Sequence, residues 1–193
     1  MKKKAWIILI IISLSVGCYF AIHCFFNCGN SEAEEEYYVG EPIDSLNGVI
    51  VYYNGSVNNS LGRNEIDGYN IGLKYQCVEF VKRYYFEYYN HRMPDTWGHA
   101  KDFFNKEIAD GGINERRGLY QYTNPSKSKP QVGDLLVWDG THGHVAIVSN
   151  VSCDYIEVIQ QNCGAISRRR YLLKYKNAWY IDNTSILGWL LKE

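Results

Sequence analysis

Apolar positions fall into distinct regimes along this chain, and each regime implies a different kind of element. From Ala5 to about Phe26 the run is broken only by Ser13, Ser15 and His23. From Cys77 to about Tyr89, the positions Val78, Val81, Tyr84, Tyr85 and Tyr88 recur at spacings of three and four, which is the helical period. A second helix is expected to be capped at Asp95 or Thr96, to run through Ala100, Phe103, Phe104 and Ile108, and to stop at Gly111-Gly112. From Gly133 onward the pattern becomes strand-like, with runs at residues 134–138, 144–151, 155–162, 169–175 and 186–191. Ser152-Cys153-Asp154 reads as the turn of a hairpin between the second and third of these. Earlier, residues 48–53 read as a short strand, followed by a Gly/Asn/Ser-rich loop through Asn70. Helices followed by an antiparallel sheet predict an α+β fold.

The N-terminal run changes the organisation. Lys2, Lys3 and Lys4 precede it, so residues 1–29 read as a secretory signal or an N-terminal membrane anchor. Lysines on the N-terminal side place the rest of the chain outside the cytoplasm, in a bacterial cell envelope or secreted. Leu14-Ser15-Val16-Gly17-Cys18 is a loose lipobox, which adds lipidation at Cys18 as a third route to the same side. Residues 30–37, with the acidic stretch Asn30 to Glu36, read as a solvated linker, and residues 38–193 as one folded domain.

Composition narrows the partners. Twenty basic against twenty-one acidic side chains leave a net charge of −1, without the positive excess that a nucleic-acid surface needs. A chain of 193 residues suits one well-buried domain, expected to be a monomer contacting the membrane only through its N-terminal segment. No metal or cofactor is called for.

Candidate chemistry centres on a thiol. Cys77, Cys153 and Cys163 fall in the domain, an odd number that leaves at least one free thiol in an oxidising compartment. Cys77 opens its predicted helix, where unpaired N–H groups and the helix dipole are expected to lower its pKa. The competing reading is a small buried hydrophobe. His144 opens a predicted strand directly after Gly140-Thr141-His142-Gly143, a turn able to present an imidazole at a cleft edge. A nucleophilic cysteine needs such a partner to take its proton and return it to the leaving amine. A hairpin turning at Cys153 sets His144 opposite Asn162 and near Gln160, so either amide oxygen could orient the imidazole. The alternative is that both amides face solvent. Cys163 lies at the far end of that hairpin from Cys153, beyond the ~7 Å Cα separation a disulfide tolerates.

Tyr75-Gln76-Cys77-Val78-Glu79-Phe80-Val81 resembles the cysteine motif of the CHAP family of cysteine, histidine-dependent amidohydrolases/peptidases. Gly133-Asp134-Leu135-Leu136-Val137-Trp138 followed by Gly143-His144-Val145-Ala146-Ile147-Val148 is similar to its histidine half, and Ile159-Gln160-Gln161-Asn162 to its next motif. Ser185-Ile186-Leu187-Gly188-Trp189 resembles the closing strand of glutathionylspermidine amidase domains. The resemblance implies a papain-like (NlpC/P60-like) fold, with N-terminal helices packed on an antiparallel sheet. It also implies a Cys77 nucleophile, a His144 base, and a third residue at Gln160, where the family commonly has glutamate. Asn162 matches a second polar residue of some members. The oxyanion is expected at the Cys77 backbone N–H with help from Gln76. The expected function is cysteine-dependent amide hydrolysis outside the cytoplasm, on peptidoglycan peptide or amide bonds. A glutathionylspermidine-type amidase and a catalytically weak wall- or peptide-binding protein are the alternatives.

Overall fold

The computed structural model describes residues 37–193, so the expected N-terminal segment (1–29) and nearly all of the acidic linker (30–37) lie outside the described residues. Two hairpins come first. β1 (Pro42–Leu46) pairs antiparallel with β2 (Val49–Tyr52), and β3 (Arg63–Ile66) with β4 (Tyr69–Leu73). Each turns on two residues with positive φ, Asn47-Gly48 (51° and 86°) and Asp67-Gly68 (49° and 74°), the backbone that tight hairpin loops require. The stretch expected to be a loop through Asn70 therefore holds a hairpin. Its first strand is Arg63-Asn64-Glu65-Ile66, whose polar character hid it.

The helix α1 (Cys77–Tyr89) follows, with the expected bounds, and Asn90 closes it in the left-handed conformation at φ 49°. Its surroundings differ from those of an amphipathic surface helix. Phe80, Val81, Tyr84 and Tyr85 are fully buried, each contributing about 1.5–3 kcal/mol by leaving water, but so are Glu79, Lys82 and Arg83 on the polar side. Those three are satisfied internally. Arg83 Nε donates to Glu79 Oε1 at 2.7 Å, while Lys82 Nζ donates to the carbonyls of Asn70 and Thr96. Gly72 on β4 lets that strand approach closely, since a Cβ there would sit 3.1 Å from Glu79 Cα.

The second expected helix is absent, replaced by one 3₁₀ turn at Ala100–Phe103. Polar groups there bond locally instead of building a helical ladder. Asp95 Oδ1 accepts the Trp97 N–H at 2.9 Å, and Asp102 Oδ2 accepts the His99 N–H at 2.7 Å. The fully buried Arg117 donates to the carbonyls of Asp95, Trp97 and Asp102, which a helix would have used itself. The apolar spacing was real as burial of Ala100, Phe103 and Phe104, but not as a helix.

The remaining strands are β5 (Gly112–Asn114), β6 (Leu119–Thr123), β7 (Leu135–Trp138), β8 (His144–Val151), β9 (Tyr155–Ile159), β10 (Arg168–Tyr175), β11 (Trp179–Ile181) and β12 (Ile186–Leu191). They form one antiparallel sheet in the order β11-β10-β9-β8-β7-β12-β6-β5. Its central strands are buried on both faces. Leu135, Val137, Val145 and Ile147 pack with α1, while Leu136, Trp138, Ala146 and Val148 pack with Ile156, Val158 and Trp189. The class is α+β as expected, but among the described residues the plural helices are corrected to a single α-helix, preceded by hairpins and packed on a sheet-rich body.

Candidate active site

The first turn of α1 and the start of β8 meet at a cavity of about 700 Å³, which both Cys77 and His144 line. Gly143 allows the approach. Its φ is 70°, and a Cβ would lie 2.5 Å from the Trp138 carbonyl oxygen and 2.6 Å from Lys101 N, so no other residue fits the turn. The backbone of Val145, next to His144, lies near enough to the Cys77 thiol to favour its charged form, which sets the sulfur near the beginning of β8.

Burial pushes the Cys77 thiol up to about 11, against the backbone hydrogen bonds of Val145, Val78 and Cys77 itself, which favour the thiolate. This corrects the expectation of a lowered pKa: desolvation outweighs the helix start. His144 moves the opposite way. Burial holds its pKa below the ordinary value of 6.5, and Arg169 adds to that, while the Gln160 hydrogen bond opposes it. At neutral pH the pair is thus a neutral thiol beside a neutral imidazole.

The tautomer of that imidazole follows from its partners. Gln160 Nε2 donates to the Ile166 carbonyl at 3.2 Å, which turns Gln160 Oε1 toward His144 Nε2 at 3.0 Å. An amide oxygen only accepts, so Nε2 carries the hydrogen and Nδ1 keeps its lone pair. Trp138 packs against the ring, with centroids 5.3 Å apart.

Asn162 does not join this arrangement. The hairpin keeps the expected register, with Ile147 opposite Ile159 and Val148 opposite Val158, but β9 ends at Ile159. Asn162 then adopts φ 68° and turns away from the imidazole. Its Nδ2 donates to Gln76 Oε1 at 2.6 Å, and its Oδ1 accepts from Asn54 Nδ2 at 2.7 Å. Gln76 belongs to the same network. Gln76 Nε2 donates to the carbonyls of Val57 (3.2 Å) and Asn59 (2.6 Å), which engages both of its amide hydrogens. Gln76 and Asn162 therefore hold the 54–59 loop, and both line the cavity that Cys77 and His144 share.

Three residues escaped the sequence reading. Cys163 is free and half-buried, with its sulfur 3.7 Å from His144 Nε2, so that N–H lies between an amide oxygen and a second thiol. Gln161 is buried, accepts the Tyr52 N–H at 2.8 Å, and donates to Glu79 Oε2 at 2.9 Å and to the Gln76 carbonyl at 3.0 Å. Asn54 is buried beside it and anchors Asn162. Gln161 and Cys163 lie in or beside a motif, while Asn54 carried no such sequence signal. Cys153 is exposed in the hairpin turn. Among the described residues, no group of three or more His, Cys, Asp or Glu side chains is arranged to hold a metal ion.

Comparison with known proteins bears on the family. A CHAP domain model matches residues 67–162, a span that holds Cys77, His144, Gln160 and Asn162. The bifunctional glutathionylspermidine synthetase/amidase of Escherichia coli (strain K12) is 30% identical over 148 residues, covering 67% of this chain and 24% of that protein. Trypanothione synthetase of Crithidia fasciculata is 30% identical over 95 residues, covering 47% of this chain and 15% of that protein. Glutathionylspermidine synthase of the same organism is 33% identical over 101 residues, covering 49% and 14%. The chain thus spans about a quarter or less of the length of these relatives. It is a CHAP-domain protein, related to the CHAP region of glutathionylspermidine synthetase/amidase. That family implies a papain-like fold; the described residues of this chain are sheet-rich, with one α-helix.

Proposed function

We propose that this protein hydrolyses an amide bond with Cys77 as nucleophile and His144 as acid–base partner, outside the cytoplasm, on peptide or amide bonds of peptidoglycan. The observation that carries the reading is the tautomer. With Nε2–H held by Gln160, the basic Nδ1 is the nitrogen left for the thiol in the shared cavity.

Sulfur adds to the substrate carbonyl as its proton passes to Nδ1, because a thiol at about 11 does not ionise beforehand. The carbonyl oxygen becomes an oxyanion, stabilised by the Cys77 backbone N–H, a first-turn amide with no intrahelical acceptor. The imidazolium then protonates the departing amine, which leaves an acyl-thioester on Cys77. Water attacks that thioester with Nδ1 as base, releasing the acid and restoring the thiol. The basic, apolar N-terminal sequence supports export, and export favours the wall as substrate.

A second reading is a glutathionylspermidine-type amidase, favoured by the similarity to the Escherichia coli glutathionylspermidine synthetase/amidase. A third, a weakly catalytic binding protein, is favoured by the raised thiol and by an amide at Gln160. The test is incubation of the full chain with purified sacculi and, separately, with glutathionylspermidine, combined with mass spectrometry for an acyl adduct on Cys77. Amine release that disappears in Cys77→Ala is expected. Unchanged amine release in Cys77→Ala, or no turnover and no adduct on either substrate, sinks the proposal.

A further inference from the structure

The cavity beyond the thiol has an uneven charge. Among the described residues that line it there is one permanent cation, Arg63, together with His99, His142 and His144, and no carboxylate. Carboxylates packed nearby are already engaged. Glu79 is held by Arg83, Asn64 and Gln161; Asp95 by Arg116 and the Trp97 N–H; Asp102 by the His99 N–H.

Arg63 is placed differently. No carboxylate among the described residues pairs with it, and its one side-chain hydrogen bond runs from Nη1 to Asn70 Oδ1 at 2.9 Å. Its guanidinium lies over the exposed ring of Trp97, 4.6 Å from the centroid. Stacking and the Asn70 bond hold the planar fork in one orientation, while its other N–H groups have no acceptor among the described residues. The platform beneath is rigid. Asn70 Nδ2 donates to the Thr96 carbonyl at 3.1 Å, and the buried Lys82 and Arg117 bind carbonyls of the same 95–102 segment. A half-satisfied, pre-positioned guanidinium in a cavity without acidic groups suits a carboxylate. A polyammonium chain would find Arg63 and no counter-charge there.

We infer that the Arg63–Trp97 platform is a subsite for a carboxylate of the substrate, so this cavity selects acidic peptide amides and does not recognise a polyamine arm. The inference rests on the amide-hydrolase reading and names the substrate class that site takes.

The test measures binding apart from turnover. Full-length Cys77→Ala protein is titrated calorimetrically with S-methylglutathione, with its diethyl ester and with spermidine, then again carrying Arg63→Gln or Arg63→Lys. S-methylglutathione is expected to saturate the site and to weaken about tenfold or more in Arg63→Gln, the loss of a charge-assisted pair, with partial recovery in Arg63→Lys. The diester is expected to lose a similar factor, and spermidine not to saturate. An unchanged affinity in Arg63→Gln with an unchanged melting temperature overturns the inference. So does spermidine binding as tightly as the acidic peptide, or no saturable binding of the acidic peptide. Charge-selective binding without turnover by the wild type would instead discard the hydrolase reading and leave the subsite in place.

Discussion

Gln160 Oε1 sits 3.0 Å from His144 Nε2 and is held there because the other end of the same amide donates to Ile166. One neutral side chain thereby decides which ring nitrogen carries the hydrogen. It orients the imidazole as a carboxylate would, but supplies no negative charge to stabilise the imidazolium.

Replacing Gln160 separates orientation from charge. Gln160→Ala is expected to lower kcat about tenfold or more, the equivalent of one hydrogen bond near the reacting groups. Gln160→Glu is expected to raise the His144 pKa by about one unit or more. NMR titration of the imidazole together with kcat reads both effects. An unshifted His144 in Gln160→Glu would show that Gln160 does not contact the ring in solution.

The pH profile should follow the imidazole rather than the thiol. Because His144 is held below 6.5 and must be neutral to accept a proton, activity is expected to rise with pH and reach half its maximum below pH 6.5. The thiol, at about 11, should cause no second inflection near neutrality. Iodoacetamide labelling, mapped by peptide mass, should reach exposed Cys153 before Cys77 at pH 7. Cys77 labelling in His144→Ala should climb only toward pH 11. Rapid Cys77 labelling at pH 6 in that variant would contradict the raised thiol.

Asn162 and Gln160 should behave differently when removed. Asn162→Ala breaks the bonds to Gln76 and Asn54 and is expected to cost about 1 kcal/mol of stability while loosening the 54–59 loop. It should leave the His144 pKa unchanged, since the side chain points away from the ring. Denaturant unfolding and imidazole NMR on one sample check both halves. A His144 shift comparable to that in Gln160→Ala would restore the direct pairing that the sequence suggested.

Asp134 makes stability pH-dependent. Burial lifts its carboxyl to about 7, with only the Gln131 N–H opposing, and Oδ1 has no partner. An acid whose folded pKa lies above its unfolded value of 3.8 contributes fully at low pH, and that contribution declines between about pH 4 and pH 7. Asp134→Asn lacks this loss. The variant is expected to gain about 2 kcal/mol relative to wild type between pH 4 and pH 8, roughly 5 °C in Tm. Parallel stability curves across that range would show that Asp134 ionises normally.

Much was legible before any coordinates, for local reasons. The bounds of α1 followed from apolar spacing, and the β8–β9 register from a three-residue turn, because both are set by contacts close in sequence. Both hairpin turns were overlooked although Asn47-Gly48 and Asp67-Gly68 are the dipeptides such turns favour. Of their four strands only β2 stood out, because the others carry too little apolar alternation. The false helix near Ala100 had the right spacing, but the remote Arg117 took the carbonyls that a helix would have used.

The order of the chain alone pointed to Cys77 and His144, each at the start of an element that local pattern defines, but not to Cys163, whose sulfur lies 3.7 Å from His144 Nε2. It could not determine their protonation, because desolvation depends on how much protein packs around a group from distant segments. Only the tertiary structure decided that Cys77 rests as a thiol, that Gln160 rather than Asn162 holds the ring, and that Arg63 lines the cavity with no carboxylate among the described residues paired to it. Each of these depends on residues tens of positions apart being brought to one place.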